Sequence, residues 1–136
     1  MTRRCVFALV VLLAALVLGA CAAPASAPAP AAPALGGPPQ LSLTTNPNPA
    51  GAAGETELVV DVKDTAGKPL NGVKVLVTAD MAVHSMGAMQ GEATDQGNGR
   101  YATKVPFGMV GDWKVTIEVL QGDTVLATQD FVIPVQ

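Results

Sequence analysis

The sequence predicts an all-β domain, an antiparallel sandwich of about seven short strands, behind a signal peptide and a disordered Ala/Pro tether. Three observations predict it. Apolar and polar residues alternate with a period of two in several stretches, as in strands with one dry and one wet face. Clusters of Gly, Pro, Asn and Asp punctuate those stretches at short intervals. No stretch sustains a helical period.

The chain opens with Arg3 and Arg4, followed by sixteen apolar or small residues from Cys5 to Ala20 and then by Cys21. A positive start, a short apolar run and small residues compose a secretory signal. Sixteen residues fall short of the about 20 that a membrane-spanning helix needs. Leu18-Gly19-Ala20-Cys21 resembles a bacterial lipobox, which implies removal of residues 1–20 as a signal peptide and a diacylglycerol on the Cys21 sulfur. An uncleaved anchor or a soluble secreted form is the alternative, and each also puts the domain outside the cytoplasm. The expected location is therefore extracytoplasmic, with the lipid on Cys21 anchoring the chain to the cell membrane or outer membrane.

Residues 21–40 form the tether. Six prolines lie among the nineteen residues 22–40 with Ala, Gly and Ser, a composition that buries little and tends to extended polyproline conformation. At about 3.1 Å per residue it spans at most roughly 60 Å. The globular domain is residues 41–136. Cys5 leaves with the signal and Cys21 carries lipid, so no cysteine remains for an internal disulfide and stability has to come from a core. Without Arg3 and Arg4, six of the eight Lys and Arg stand against eleven Asp and Glu, a net charge of −5. That sign argues against nucleic acid or anionic headgroups as ligands.

The strands follow in order. Leu41 to Thr45 is the first, ended by Pro47 and Pro49. Leu58, Val60 and Val62 oppose Glu57, Asp61 and Lys63 in the second. Val73, Val75 and Val77 mark the third, Tyr101, Thr103 and Val105 the fifth, Trp113, Val115, Ile117 and Val119 the sixth, and Val125 to Ile133 the last. Turns are predicted at Asp64 to Gly72, Asp95 to Gly99 and Gln121-Gly122-Asp123. Tyr101 and Trp113 supply the large rings that a small core needs.

All four methionines beyond Met1, and the single histidine, fall between Met81 and Met109. Met81, His84, Met86 and Met89 occupy nine residues. Thioether is a soft neutral donor suited to Cu(I), and imidazole binds copper in both states, so this set selects reduced copper over zinc. If consecutive strands run antiparallel, the third-to-fourth and fifth-to-sixth connections share one pole, which would bring Met109 to the other donors. A fully extended segment would put His84 and Met86 on one face and Met81 on the other. Gly87 and Gly91 allow a turn that returns Met89 to the side of Met81. Plain packing is the alternative, since flexible Met commonly fills irregular apolar gaps.

Enzymatic chemistry is not expected. One histidine is present, Ser85 beside it would face the other way along a strand, and no glycine-rich phosphate motif occurs. Asp61, Asp64, Glu92, Asp95, Asp112, Glu118 and Asp130 are scattered over polar faces and turns.

Phe107-Gly108-Met109-Val110-Gly111-Asp112-Trp113, followed by the alternation of Val115, Ile117 and Val119, resembles the signature of the YtkA-like domain family. Gly99-Arg100-Tyr101 and the Met-rich segment from Met81 sit where that family has similar residues. The resemblance covers about Leu41 to Ile133 and is most distinctive from Met81 to Val119. It implies a small extracytoplasmic immunoglobulin-like sandwich, and, from some members and related domains, work in copper handling or oxidase assembly. Ala82 stands where the family commonly has Pro, and His84 precedes Met86, so the ligands are argued residue by residue. The expectation is a lipoprotein that binds copper as Cu(I) through Met81, His84, Met86, Met89 and Met109 for storage, delivery or sensing, serving a membrane-bound copper protein or envelope complex. The competing expectation is a metal-free interaction module that uses the same pole as an adaptable contact.

Overall fold

A computed structural model describes residues 36–83 and 87–136. The predicted signal peptide, Cys21 and the predicted tether as far as residue 35, together with His84 and Met86, lie outside the described residues. Seven strands form: β1 (Gln40–Asn46), β2 (Thr56–Lys63), β3 (Lys74–Met81), β4 (Met89–Gly97), β5 (Arg100–Val105), β6 (Gly111–Gln121) and β7 (Thr124–Val135). Every pairing between them is antiparallel. There is no helix among the described residues.

The strand order is β1-β2-β5-β4-β3-β6-β7. One continuous sheet folds over at β4. The later part of that strand pairs with β5 through Thr94↔Ala102 and Asp95↔Tyr101, and its earlier part pairs with β3 from Ala79↔Met89 to Val75↔Ala93. The two layers are thus β1-β2-β5-β4 and β3-β6-β7, the strand sets of a constant-type immunoglobulin sandwich. The predicted all-β, seven-stranded antiparallel sandwich is the one observed.

Alternation explains the core. Leu58, Val60 and Val62 from β2, Val75, Val77 and Ala79 from β3, Tyr101 and Val105 from β5, and Trp113, Val115, Ile117 and Val119 from β6 are buried in one cluster between the layers. Burying a Val, Leu or Ile side chain contributes about 1.5–3 kcal/mol, so these faces dominate the stability of a fold with no disulfide. No buried side-chain nitrogen or oxygen among the described residues lacks a hydrogen-bond partner.

The connection after β1 closes against the end of β7. Ala50 forms a parallel bridge with Val135, the Gln136 N–H donates to the Ala50 carbonyl at 2.9 Å, and the Ala52 N–H donates to the Gln136 carbonyl at 2.9 Å.

The connections divide between two poles. The first holds the turns 64–73, 98–99 and 122–123. Asp64 Oδ1 accepts the N–H groups of Ala66 and Lys68 at 2.8 and 2.9 Å, and Gly97 N–H donates to Asp95 Oδ1 at 2.7 Å. Tyr101 closes this end from inside: its hydroxyl donates to the Leu70 carbonyl at 3.0 Å and accepts the Val73 N–H at 3.4 Å. The second pole holds the connections 47–55 and 106–110 and the described ends, 82–83 and 87–88, of the one between β3 and β4.

Candidate functional site

The methionine-bearing connections meet at the second pole, and the β3–β6 ladder carries them there. Met81 is the last residue of β3 and faces Trp113 of β6. The ladder runs one residue further, since the Ala82 N–H donates to the Asp112 carbonyl at 3.0 Å. The Met81 N–H is itself held by Asp80 Oδ1 at 2.9 Å. Beyond Ala82 the chain leaves the sheet and returns through Gly87, whose φ of +105° is a conformation that side chains rarely adopt.

Met89 then opens β4 opposite Ala79. Ala79 and Trp113 are both buried on the inner face, and directly paired residues point to the same side of a sheet. Met81 and Met89 therefore share the inner face at this end, where both are half-buried and packed against the core. β3 ends at Met81 and β4 begins at Met89, so the chain turns back between them.

Met109 belongs to the β5–β6 connection and is exposed. Its backbone is tied to the same place, since the Trp113 indole N–H donates to the Met109 carbonyl at 3.0 Å. Phe107, fully buried, meets the Trp113 ring edge-on with centroids 5.2 Å apart. Gly111 lies beside Met81: a Cβ there would sit 3.5 Å from Met81 Cε, an ordinary contact, and its φ of +134° favours glycine. Among the sequence-predicted donors, Met81 and Met89 are thus brought to one face and the Met109 backbone to the same pole. His84 and Met86 are outside the described residues.

The chemistry available follows from the donor types. Among the described residues no group of three His, Cys, Asp or Glu side chains could hold a metal ion. The thioethers of Met81 and Met89 remain, soft donors at the edge of an apolar core. Several of the carboxylates serve turns and ion pairs instead. Glu92 lies 3.2 Å from Lys74, and Asp130 accepts the Thr116 hydroxyl at 2.7 Å. Both predicted core rings, Tyr101 and Trp113, are buried.

The sequence did not mark Phe107 as core, or Gly111 as a neighbour of Met81. An aromatic residue between Pro106 and Gly108 in an otherwise poorly patterned stretch was the available signal for the first.

Residues 39–118 match the family described as YtkA-like. No curated protein and no solved structure gives a match.

Proposed function

The chain belongs to the YtkA-like family, and on that footing we propose that it is a membrane-anchored extracytoplasmic lipoprotein whose sandwich binds copper as Cu(I). The ligands are drawn from Met81, His84, Met86, Met89 and Met109, and the role is storage, delivery or sensing. The observation that carries this reading is that Met81 and Met89, seven residues of connection apart, share the inner face at one end. Reduced copper accepts such neutral sulfur ligands, and no thiolate of the domain competes. His84, placed between the two by sequence, adds the imidazole.

The test is an anaerobic Cu(I) competition titration of the full chain beside the triple Met81→Leu, Met86→Leu, Met89→Leu variant. Leu nearly conserves volume and apolarity while deleting sulfur, so the variant is expected to fold and to lose the ion. Equal affinity in both proteins discards the site.

A second reading is favoured by a separate observation. Val83 is 76% exposed, Val110 64% and Met109 42%, an apolar tip of the kind that contacts partners. On this reading the pole docks on an envelope or membrane complex without metal. The Leu variant separates the two, since it removes donors and keeps the contact surface.

A further inference from the structure

We infer that the fork between β4 and β5 is the port through which a soft monovalent cation reaches the Met89 thioether. The inference rests on the reading of the methionine pole as a Cu(I) site and adds the route into it.

The fork follows from the way β4 changes layers. β4 pairs with β5 at Thr94, Asp95 and Gly97, but from Met89 to Ala93 it pairs with β3. Meanwhile β5 stays with β2 through Thr103, Lys104 and Val105. The two strands therefore part toward the methionine pole. A groove of about 90 Å³ opens between them, lined by Val77, Met89, Gly91, Thr103, Val105 and Pro106 among others. Val77 and Val105 at its floor stay buried, so the groove ends at inner-face side chains, and Met89 beside it is half-buried. The groove's volume of about 90 Å³ is enough for a few water molecules, which suits a partly hydrated metal ion.

Gly91 keeps the groove open. It lies inside a strand, where glycine is unfavourable for lack of packing and for chain entropy. Its backbone does not demand glycine, since its φ is not among the positive ones. A Cβ would sit 3.5 Å from Thr103 Oγ1, an ordinary contact. What the missing side chain provides is space at the lip of the groove, two residues along the strand from Met89 and on the same face. Met81 does not line this groove, so closing it affects the two thioethers differently.

The test uses the full chain and its Gly91→Ala and Gly91→Val variants, with two probes. Hydrogen peroxide footprinting read by peptide mass spectrometry reports access to each thioether without any metal, because sulfoxide formation follows exposure. Ag(I), a redox-stable soft monovalent cation, reports uptake by stopped flow. Gly91→Val is expected to slow Met89 oxidation about fivefold relative to Met81 and Met109 in the same chain, and to slow Ag(I) association by a similar factor. Gly91→Ala, which fits without displacing its neighbours, is expected to give a smaller change in the same direction and decides the matter if the valine variant fails to fold. Unchanged Met89 oxidation in the folded variants overturns the port, and so does protected Met89 with unaltered Ag(I) kinetics. Absence of Ag(I) binding by the unsubstituted chain overturns the metal reading and the port with it, an outcome distinct from binding whose kinetics ignore Gly91.

Discussion

Met81 stands directly opposite Trp113 across the β3–β6 ladder, and the same indole holds the Met109 carbonyl at 3.0 Å. One ring thereby joins the two connections that carry methionine. It is the single tryptophan of the chain, so its emission reports on this pole alone.

Directly opposed side chains have Cβ atoms about 4.5–5.5 Å apart, which places a cation held by Met81 close to the indole. Addition of Ag(I) is expected to change the Trp113 fluorescence of the full chain, and Met81→Leu is expected to remove most of that response. Saturable binding with constant emission would put the ion elsewhere.

Phe107 is fully buried and packs edge-on to Trp113. Phe107→Ala leaves a cavity beneath the β5–β6 connection and is expected to destabilise the domain by about 3–5 kcal/mol in urea unfolding. A loss below about 1 kcal/mol would mean that the pole is not part of the cooperative core.

At the opposite end, Gly99 has φ of +71°, and a Cβ there would lie 2.5 Å from the Val62 carbonyl oxygen and 2.9 Å from the Leu70 nitrogen. Those atoms are already bonded, Leu70 N–H to Val62 O and Val62 N–H to Gly99 O. Both backbone conformation and space therefore require glycine. Gly99→Ala is expected to cost roughly 3 kcal/mol or more, and a melting temperature equal to that of the unsubstituted chain would contradict this geometry.

Tyr101 is the chain's single tyrosine. Burial foremost, with the negative charge of Asp95, raises its phenol above the usual value, against the Val73 N–H, which favours the anion. A raised folded-state value means that the native protein holds this proton more tightly than the unfolded chain does. Its contribution is complete below the ordinary tyrosine value of about 10 and declines as pH rises through the folded value. Tyr101→Phe is expected to lower stability by about 1–3 kcal/mol at neutral pH, through the stranded Leu70 carbonyl and Val73 N–H, and to flatten the alkaline decline. Urea unfolding at pH 7 and above pH 10 measures both; an equally steep decline in the variant would assign it to another group.

The strands legible in the sequence are those with a filled inner face and a wet outer one. β2, β3 and β6 carry Val, Leu or Ile at alternate positions and could be read directly. β4 could not, because its inward positions are Met89, Gly91 and Ala93, and of its nine residues Ala93 alone is buried. A strand that crosses between layers has little interior to fill and so writes a weak apolar pattern. The shared pole of the two methionine connections followed from counting antiparallel strands. The common face of Met81 and Met89 did not follow from local alternation, because it depends on where β3 stops and on the turn at Gly87, which are set by the register with β6. The burial of Phe107 was not legible for a similar reason: it is buried from within a connection, where a period of two carries no signal.

The entry point of the chain has a directional consequence. β1 begins at Gln40 beside Lys63, the last residue of β2, at the end closed by Tyr101. β3, eight residues long and thus about 26 Å at 3.3 Å per residue, separates that end from Met81. The chain therefore enters β1 at the pole remote from Met81 and Met89.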